Sequence, residues 1–324
     1  MTEEEIRPQV MLDEFFRLIR EDVSDIFNNC KILTIPCPAC GQDDICMKYE
    51  KEGFGISECN SCLTLFVNPR PKFEYFKKYY SDSKSSRYWA TTFYKTTEKA
   101  RREKIWKPKA KIVHNMMSQY QISQVYDIGG GYGVFAEELE ALGNAKVTVI
   151  EPSVHLASVC RDKGLEVIEA FFEELTLNGF AGIQAKCFVS FELFEHLYDP
   201  KGFLDKLYEL MLPGDIFIFS TLSSLGVDIQ TLGKDSKAIS PPQHLNFLNP
   251  ESVRILLERV GLKLESVTTP GKLDLDIMKN NSGSIKEDFW RNFLKVASSE
   301  QVETMQKAIS ESGFSSHMLT VCKK

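Results

Sequence analysis

Four cysteines near the start of the chain stand in two close pairs. Cys37 and Cys40 form the first pair, Cys59 and Cys62 form the second, and 18 residues separate the pairs. The pattern C-x2-C-x18-C-x2-C lies within the spacing of zinc sites, because two such turns together offer four thiolates in a tetrahedral shell. A closed shell leaves no open coordination position, so we expect a structural zinc ion. A redox role is less favoured, because two pairs occur and neither opens an obvious helix.

A glycine-rich turn follows an apolar strand in the middle of the chain. Asp127 ends the strand, and the run Asp127-Ile128-Gly129-Gly130-Gly131-Tyr132-Gly133 leads into a helix that starts at Val134. Glycines allow a sharp turn and let a ligand lie against bare backbone. Glu151 ends the next strand, and a carboxylate there can accept both hydroxyls of a ribose. The dinucleotide fingerprint G-x-G-x-x-G is not matched, because Val134 stands at its third glycine.

The spacing D-x-G-x-G-x-G resembles the first motif of class I S-adenosylmethionine-dependent methyltransferases. Three later segments are similar to the same family in the same order: 190–200 to its E-x-x-E-H-x-x-D-P segment, 212–215 to the turn before its fifth strand, and 242–252 to the segment before its last helix. The resemblance covers about residues 104–270. It implies a doubly wound, mostly parallel α/β sheet of the Rossmann-like kind, and transfer of a methyl group from a sulfonium to a nucleophile.

The resemblance also assigns the S-adenosylmethionine contacts to the ends of the first four strands of this sheet. The residues so assigned are Asp127, Gly129, Gly130, Gly131, Tyr132, Gly133, Glu151, Pro152, Phe171, Phe172, Ser190, Phe191 and Glu192. Two departures from the family occur. Residues 170–173 read A-F-F-E where the family often has an acid near the adenine, so we expect contacts from backbone and aromatic faces instead. The Asp that often starts the fourth strand is replaced by Ala185-Lys186.

Two histidines are candidates for the catalytic base of an O-methyl transfer. His196 follows the predicted fourth strand and His244 lies on the loop after the predicted fifth, where substrates often bind in this family. Imidazole titrates near neutral pH and can accept a hydroxyl proton. His196 has two alternatives: it supports the following helix, or it joins Glu192 and Glu195 on a divalent ion, as in some quinone O-methyltransferases that resemble this segment. The alternative for His244 is a hydrogen-bonded loop histidine.

An aromatic and basic stretch separates the cysteine segment from the sheet. Sequences just before the first strand often form a lid in this fold, so Tyr88, Trp89 and Arg101 are candidates to line the substrate pocket. The guanidinium would bind a phosphate or carboxylate of the acceptor. The alternative, which charge runs generally favour, is a packed helix with a solvated basic face.

Periodicity predicts the elements that would position these residues. Apolar spacing over 8–28 predicts an amphipathic helix, and 72–118 reads as mostly helical with a loop at 81–86. Beyond residue 122, strands and helices alternate, which implies a parallel sheet with helices on both faces. The predicted strands are 124–128, 146–150, 166–168, 187–190, 216–220, 263–268 and 317–322, and the predicted helices are 134–142, 154–163, 201–211 and 250–260.

Four units follow from this pattern. We expect an N-terminal helix in 1–33, a zinc ribbon in 34–71, a helical linker or lid in 72–118, and the methyltransferase domain in 119–324. A helical insertion is expected near 283–312 within the last unit.

Composition narrows the class of protein. The chain has 324 residues, 43% of them apolar and 26% charged, which is ordinary for a soluble globular protein. A net charge of -6 argues against a general nucleic-acid binder. We find neither a basic leader followed by an apolar run nor a run of roughly 20 apolar residues, so we expect a cytoplasmic protein without a membrane partner. The oligomeric state is not indicated.

We therefore expect an enzyme that methylates a small-molecule acceptor, at an oxygen of a sugar, sugar nucleotide or secondary metabolite. The ribbon-plus-methyltransferase layout resembles a group of bacterial enzymes from such pathways. The rival hypothesis is a degenerate methyltransferase scaffold whose ribbon binds protein or nucleic acid. The tetrapeptide [DNS]-P-P-[YFW] of N-methyltransferases that act on nucleic acids is absent after the fourth strand, where 190–193 read S-F-E-L.

Overall fold

A computed structural model describes residues 1–180 and 185–324 of the chain. Its strands form three sheets. The strands are β1 (Ile32–Leu33), β2 (Ile45–Lys51), β3 (Phe54–Cys59), β4 (Leu65–Val67), β5 (Arg70–Pro71), β6 (Gln124–Ile128), β7 (Lys146–Ile150), β8 (Glu166–Ile168), β9 (Lys186–Phe191), β10 (Ile216–Leu222), β11 (Asn246–Phe247), β12 (Lys263–Thr268) and β13 (His317–Lys323).

The helices cover the sheets and the segment between them. They are α1 (Glu3–Ile6), α2 (Gln9–Ile26), α3 (Phe73–Asp82), α4 (Lys84–Tyr88), α5 (Tyr94–Arg101), α6 (Lys107–Tyr120), α7 (Val134–Glu140), α8 (Val154–Asp162), α9 (Pro200–Leu210), α10 (Val227–Leu232), α11 (Pro250–Val260), α12 (Asp274–Asn280), α13 (Asp288–Val296) and α14 (Ser299–Glu311). Two π-helical turns, Trp89–Phe93 and Arg102–Trp106, interrupt the helices before the large sheet. Within the described residues, no helix is both long and apolar enough to cross a bilayer.

The large sheet has seven strands in the order β12-β13-β10-β9-β6-β7-β8. The five strands from one side of the sheet, β10-β9-β6-β7-β8, are parallel to one another. Strand β13 is antiparallel to both of its neighbours, β10 and β12. The chain builds outward from β6 in one direction through β7 and β8, and then in the other through β9 and β10. The strand order therefore reverses between β6 and β9, and the crevice at such a reversal is where ligands bind in open α/β sheets.

Both faces of this sheet are buried, as a parallel sheet requires. Alternate strand residues such as Val125 and Val189 pack with α6 and α7 on one face. Their neighbours Tyr126 and Phe188 pack with α9 and α11 on the other. The expected doubly wound, mostly parallel α/β fold is confirmed.

The cysteine segment forms a small antiparallel sheet that also includes one strand from a distant part of the sequence. Its order is β11-β4-β3-β2, so its outer strand comes from Asn246–Phe247, far along the sequence. Several elements departed from the predictions, among them the short strand β11, which was not predicted. The helices α10 and α12 were not predicted, and the helical region near 283–312 consists of α13 and α14 because Ser298 caps a new helix. The predicted loop at 81–86 is only a break at Ser83, which caps α4.

Candidate active site

The glycine-rich turn lies at the strand-order reversal, between β6 and α7. Gly129, Gly131 and Gly133 all have positive φ angles, of 72°, 57° and 68°. A Cβ at Gly130 would lie 2.7 Å from Asp127 Oδ2, whereas a Cβ at Gly131 meets no atom of the described chain within 4 Å. Gly130 is therefore needed for close packing, and Gly131 presents bare backbone to open space.

Glu151 lies beside this turn, at the end of β7. Its Oε2 accepts a hydrogen bond from Gly131 N at 3.0 Å, and its Oε1 accepts one from Ser153 N at 3.0 Å. These two bonds fix the orientation of the carboxylate and occupy two of its roughly four acceptor positions. The remaining lone pairs can accept hydroxyl groups of a ligand on the glycine turn.

A small cavity of about 20 Å³ opens beside the turn, lined by Tyr94, Trp106, Asp127, Gly129, Gly130, Val134, Phe135 and Phe191. Among the described residues, neither Asp127 Oδ2 nor Trp106 Nε1 has a hydrogen-bond partner, although both atoms are buried. Burial, with a contribution from the charge of Glu151, raises the pKa of Asp127 to about 7. An unpaired acceptor and an unpaired donor in one cavity are what a polar ligand would satisfy.

Aromatic side chains from the helices before the sheet cover this cavity. The ring of Tyr94 stacks on that of Tyr132 with centroids 4.6 Å apart, and the Tyr132 hydroxyl donates a hydrogen bond to Ala90 O. Trp89 stacks on Phe93 at 4.2 Å. The segment 83–106 therefore lies over the glycine turn.

Glu192 follows β9, next in sequence to the cavity-lining Phe191, and has a positive φ of 56°. Its Oε1 accepts hydrogen bonds from Lys109 Nζ at 2.6 Å and Ser220 Oγ at 2.7 Å. Burial alone would raise the pKa of Glu192, but the Lys109 ammonium and His317 outweigh it and hold the pKa well below its usual range. Glu192 is thus an ionised group whose first partner is Lys109.

The two candidate histidines, 48 residues apart in sequence, lie in contact. Their ring centroids are 4.7 Å apart. His196 Nδ1 lies 2.9 Å from Gln243 O, and His244 Nδ1 lies 2.6 Å from Ala238 O. A carbonyl oxygen only accepts, so each Nδ1 carries the proton and each Nε2 keeps a free lone pair. Burial lowers the pKa of His196 to about 4 and that of His244 to about 3, so both rings are neutral at pH 7.

Glu195 completes a cluster with these histidines. One ligand atom from each of Glu195, His196 and His244 lies within 4.8 Å of the others. The Glu195 carboxyl is buried and its Oε2 accepts a hydrogen bond from Thr221 Oγ1 at 3.0 Å. Burial, and then the charge of Glu192, raise the pKa of Glu195 to about 8. Glu192 itself pairs with Lys109 instead of joining this cluster.

The other predicted cofactor residues lie in different environments. Phe172 is buried in the sheet core, with its ring 4.8 Å from that of Phe203, whereas Phe171 is 52% exposed and Pro152 is exposed. Ser190 is fully buried, and its Oγ has no hydrogen-bond partner among the described residues. Phe191 lines the cavity and packs edge-on against Phe135.

The candidate substrate residues lie in the segment over the turn. Arg101 is buried, with its guanidinium 5.8 Å from the centroid of Trp89 and 5.5 Å from that of Tyr94. Burial lowers the pKa of Arg101, and within the described part of the chain no carboxylate forms an ion pair with it. Tyr88 is half-buried, and its raised pKa owes most to burial and then to the charge of Glu14 in α2.

The four cysteines predicted to bind zinc converge at one end of the small sheet. Cys37 Sγ lies 3.5 Å from Cys62 Sγ, and Cys40 Sγ lies 3.5 Å from Cys59 Sγ. All four sulfur atoms lie within 4.8 Å of one another. Sulfurs about 2.3 Å from a tetrahedral zinc ion are roughly 3.8 Å apart, so this donor set fits zinc.

Sequence reasoning missed several residues at this site. Tyr94 and Trp106 line the cavity, and the Lys109 ammonium pairs with Glu192 and stabilises its ionised form. Trp106 and Lys109 lie within the stretch K-I-W-K-P-K, where an aromatic side chain between cations was a usable signal. His317 lies in the last strand, and its Nε2 is 3.6 Å from Glu192 Oε1. No local sequence pattern predicts this contact.

Comparison with known proteins places the chain in a family. A family model described as a methyltransferase domain matches residues 92–267, more than half of the chain. A curated relative, the ubiquinone biosynthesis O-methyltransferase of Dinoroseobacter shibae, is 30% identical over 151 residues, which is 43% of this chain and 60% of the relative. The chain thus matches less than two thirds of that relative.

Two solved structures illustrate the structural similarity. The Haloferax volcanii complex of the methyltransferase activator Trm112 with a methyltransferase gives a TM-score of 0.47 at 15% identity, covering 72% of this chain and 95% of that one. The plantazolicin methyltransferase BamL, bound to a substrate analogue and SAH, gives a TM-score of 0.47 at 15% identity. The match covers 76% of this chain and 93% of BamL. Both scores are modest, so family membership rests on the match to residues 92–267.

Proposed function

The chain belongs to the methyltransferase family, and on that premise we propose that it transfers the methyl group of S-adenosylmethionine to an oxygen of a small acceptor molecule. One observation carries the proposal. The glycine turn, the oriented Glu151 carboxylate and the cavity with unpaired Asp127 and Trp106 atoms all lie at the strand-order reversal between β6 and β9.

The residues present fit the cofactor. Gly131 would offer backbone, Glu151 would accept the ribose hydroxyls, and Asp127 and Trp106 would pair with polar groups of the methionine part. Tyr94 and Phe191 would place aromatic faces near the sulfonium, which such faces stabilise electrostatically. When bound, the cofactor supplies the electrophilic methyl group. The chain's contribution is alignment of donor and acceptor and exclusion of water by the segment 83–106.

His196 and His244 are the proposed proton acceptors. Both are neutral at pH 7, and among the described residues the Nε2 lone pair of each has no hydrogen-bond donor. An acceptor hydroxyl would give its proton to one Nε2 as its oxygen bonds to the methyl carbon, whose bond to sulfur would break at the same time and leave a neutral thioether. The charge of Glu192 partly offsets the effect of burial on His196, and so favours the imidazolium that forms.

The acceptor is proposed to carry an anionic group, as a sugar nucleotide or an acidic metabolite does. Arg101 supports this, because it is a buried cation without a carboxylate partner in the described chain, and burying an unpaired charge is costly. Trp89 and Tyr88 would border the same subsite.

The Cys37, Cys40, Cys59 and Cys62 cluster is proposed to hold one structural zinc ion, which would supply folding free energy to a segment with little core of its own. Metal analysis of purified protein should give one zinc per chain. A metal-free protein in which all four thiols react freely would contradict this part of the proposal.

The function is tested first by calorimetry with S-adenosylmethionine. We expect binding to wild type, and binding about 10- to 100-fold weaker for Glu151→Gln, because a charge-assisted hydrogen bond contributes roughly 1.5–3 kcal/mol. Glu169→Gln, an acidic residue whose carboxylate pairs with Arg161 near the protein surface, is the matched control. Failure of wild type to bind would favour the degenerate scaffold instead.

The catalytic step is tested with His196→Ala and His244→Ala, measuring cofactor affinity and turnover on a panel of phosphorylated and carboxylated sugars. We expect retained affinity and a roughly 100-fold lower kcat in at least one variant. Unchanged turnover in both variants would exclude a histidine base.

A divalent ion on Glu195, His196 and His244 is the second candidate role for this cluster. Its support is the convergence of three ligand atoms, with each Nδ1 held by a backbone carbonyl as in many metal sites. Titration of the zinc-loaded protein with Mn²⁺ or Mg²⁺ distinguishes the roles. Binding of a second ion that His244→Ala abolishes would support a metal site, and activity that survives chelation of that ion would support the base.

A further inference from the structure

Arg70, at the end of the cysteine-rich segment, is a charged residue in an unusual environment. It is completely buried, and within the described chain its guanidinium has no carboxylate partner. Burial lowers the pKa of Arg70 to about 10. A buried cation without a counter-charge persists only where its N–H groups have well-placed acceptors, because isolated charges are strongly disfavoured in the interior.

The acceptors of Arg70 belong to three different parts of the chain. Nη1 donates to Tyr198 O at 2.6 Å, and Nη2 donates to Leu245 O at 3.2 Å and to Asn246 Oδ1 at 2.9 Å. Nε donates to Val67 O at 3.3 Å, within the small sheet. One side chain therefore joins the ribbon to the segment after His196 and to the segment after His244.

The same two segments are also joined directly. Leu245 N donates to Glu195 O at 2.7 Å, and Asn246 Nδ2 donates to Leu197 O at 2.6 Å. Together with the bond from His196 Nδ1 to Gln243 O, these contacts fix the register of 195–198 against 243–246.

The small sheet sets the position of the His244 loop from the other side. Asn246 pairs with Phe66 and Phe247 with Leu65 across β11 and β4, and Val67 N donates to Leu245 O at 2.9 Å. The loop that carries His244 thus leads directly into β11, an outer strand of the small sheet. The ribbon and the acceptor side of the active site are one structural unit.

We infer that Arg70 is a positioning residue, which holds His196 and His244 at their mutual distance by clamping 195–198 and 243–246 to the ribbon. The inference rests on the proposed function for the role of these histidines, but the clamp itself is a property of the chain. Arginine is required because its planar fork reaches several acceptors at once, whereas a lysine ammonium is a compact point charge on a flexible stem.

The test compares Arg70→Lys with Arg259→Lys in the 324-residue chain loaded with zinc. Arg259 in α11 also bonds to the ribbon, through Ala39 O, but forms no hydrogen bond with 195–198 or 243–246. For Arg70→Lys we expect S-adenosylmethionine affinity within about twofold of wild type, ring-nitrogen NMR signals of His196 and His244 shifted away from the Nδ1-protonated form, and amide exchange at 195–198 and 243–246 faster by about tenfold or more. Arg259→Lys should leave the histidine signals and these amides unchanged.

With an acceptor in hand, Arg70→Lys should lower kcat by about 10- to 100-fold and leave the KM for S-adenosylmethionine unchanged, because misplacement of about 1 Å costs this much. Asn246→Ser weakens the same clamp from the opposite side, because it removes the Oδ1 acceptor of Arg70 and the Nδ2 donor to Leu197 O. It decides the question if Arg70→Lys does not fold, and we expect it to produce the same NMR and exchange changes.

Unchanged histidine signals and exchange in a folded Arg70→Lys, or in Asn246→Ser where Arg70→Lys does not fold, would overturn the inference. Equal changes in Arg259→Lys would also overturn it, since the effect would then be general loosening of the ribbon. These readouts need no acceptor and no cofactor. A wild-type protein that fails to bind S-adenosylmethionine therefore refutes the proposed function while the clamp is still tested.

Discussion

Buried carboxyl groups in this chain fall into two kinds, according to their nearest partner. Glu192 has Lys109 within hydrogen-bonding distance and is ionised. Glu195 and Asp228 have no cation as a partner in the described chain, and burial raises the pKa of each to about 8. Sequence alone does not separate these cases, because all three residues are acids within or beside apolar runs.

Asp228 gives a prediction at this scale. Burial, and then the charge of Asp274, raise its pKa to about 8, so the folded state keeps a proton that the unfolded state releases near pH 4. The free energy of unfolding should therefore fall as the pH rises from about 4 to 8. Asp228→Asn removes this ionisation, and urea unfolding should show a variant that gains on the order of 2–4 kcal/mol relative to wild type between pH 5 and pH 8.

The exposed Asp205→Asn is the control for Asp228→Asn, and it should follow the wild-type pH dependence, because Asp205 pairs with Lys201 at the surface. Parallel pH curves for wild type and Asp228→Asn would show that Asp228 is ionised in the folded protein, contrary to expectation.

At the scale of elements, Lys186 explains how this chain departs from the family pattern at the start of the fourth strand. Lys186 begins β9, and its Nζ lies 2.5 Å from Asp215 Oδ2 in the turn before β10. Both side chains are almost completely buried. The same carboxylate accepts hydrogen bonds from Lys186 N and Leu212 N. The acid absent from the strand start is thus supplied by the neighbouring turn.

Removing one partner of this pair should be strongly destabilising. Lys186→Met leaves the Asp215 charge buried without a cation, and we expect the free energy of unfolding to fall by about 3–5 kcal/mol. Lys201→Met breaks the exposed Lys201–Asp205 pair, and should change the free energy of unfolding by less than about 1 kcal/mol. Urea unfolding at pH 7 measures both, and equal losses in the two variants would contradict the argument.

Most elements of the large sheet could be predicted from the sequence, because their apolar residues recur at strand or helix spacing and turn residues bound them. Strands Gln124–Ile128 and Lys146–Ile150 have the predicted bounds. The helices α10 and α12 were missed because they are only six and seven residues long, too short for a periodic pattern. Their stability comes from tertiary packing, in which Leu232 and Met278 share a core.

At the scale of the whole molecule, the ribbon shares its core with the large sheet. Cys37, Cys62 and Phe66 pack in the same cluster as Leu256 of α11 and Phe217 of β10. Metal loss is therefore expected to loosen more than the cysteine segment.

Zinc removal tests this coupling. After chelation, amide exchange should rise in 34–71 and also in 243–247, because the second segment ends in β11, which pairs with β4 of the ribbon, while β6 and β7 stay protected. Cys40→Ser should reproduce the pattern, and Cys46→Ser, at a cysteine outside the cluster, should not. A rise in amide exchange confined to 34–71 would show that the stability of the His244 loop does not depend on the zinc-bound ribbon.

The sequence by itself determined the features that depend on local spacing. These are the two cysteine pairs, the glycine turn with Glu151, and the alternation that predicts the parallel sheet, since each is encoded within one turn or one βα unit. Only the tertiary structure decided which distant residues meet. His196 lies beside His244, Arg70 bridges their segments, and Lys109 pairs with Glu192. Such contacts depend on strand register and on the packing of elements far apart in the chain, and no local pattern of residues records either.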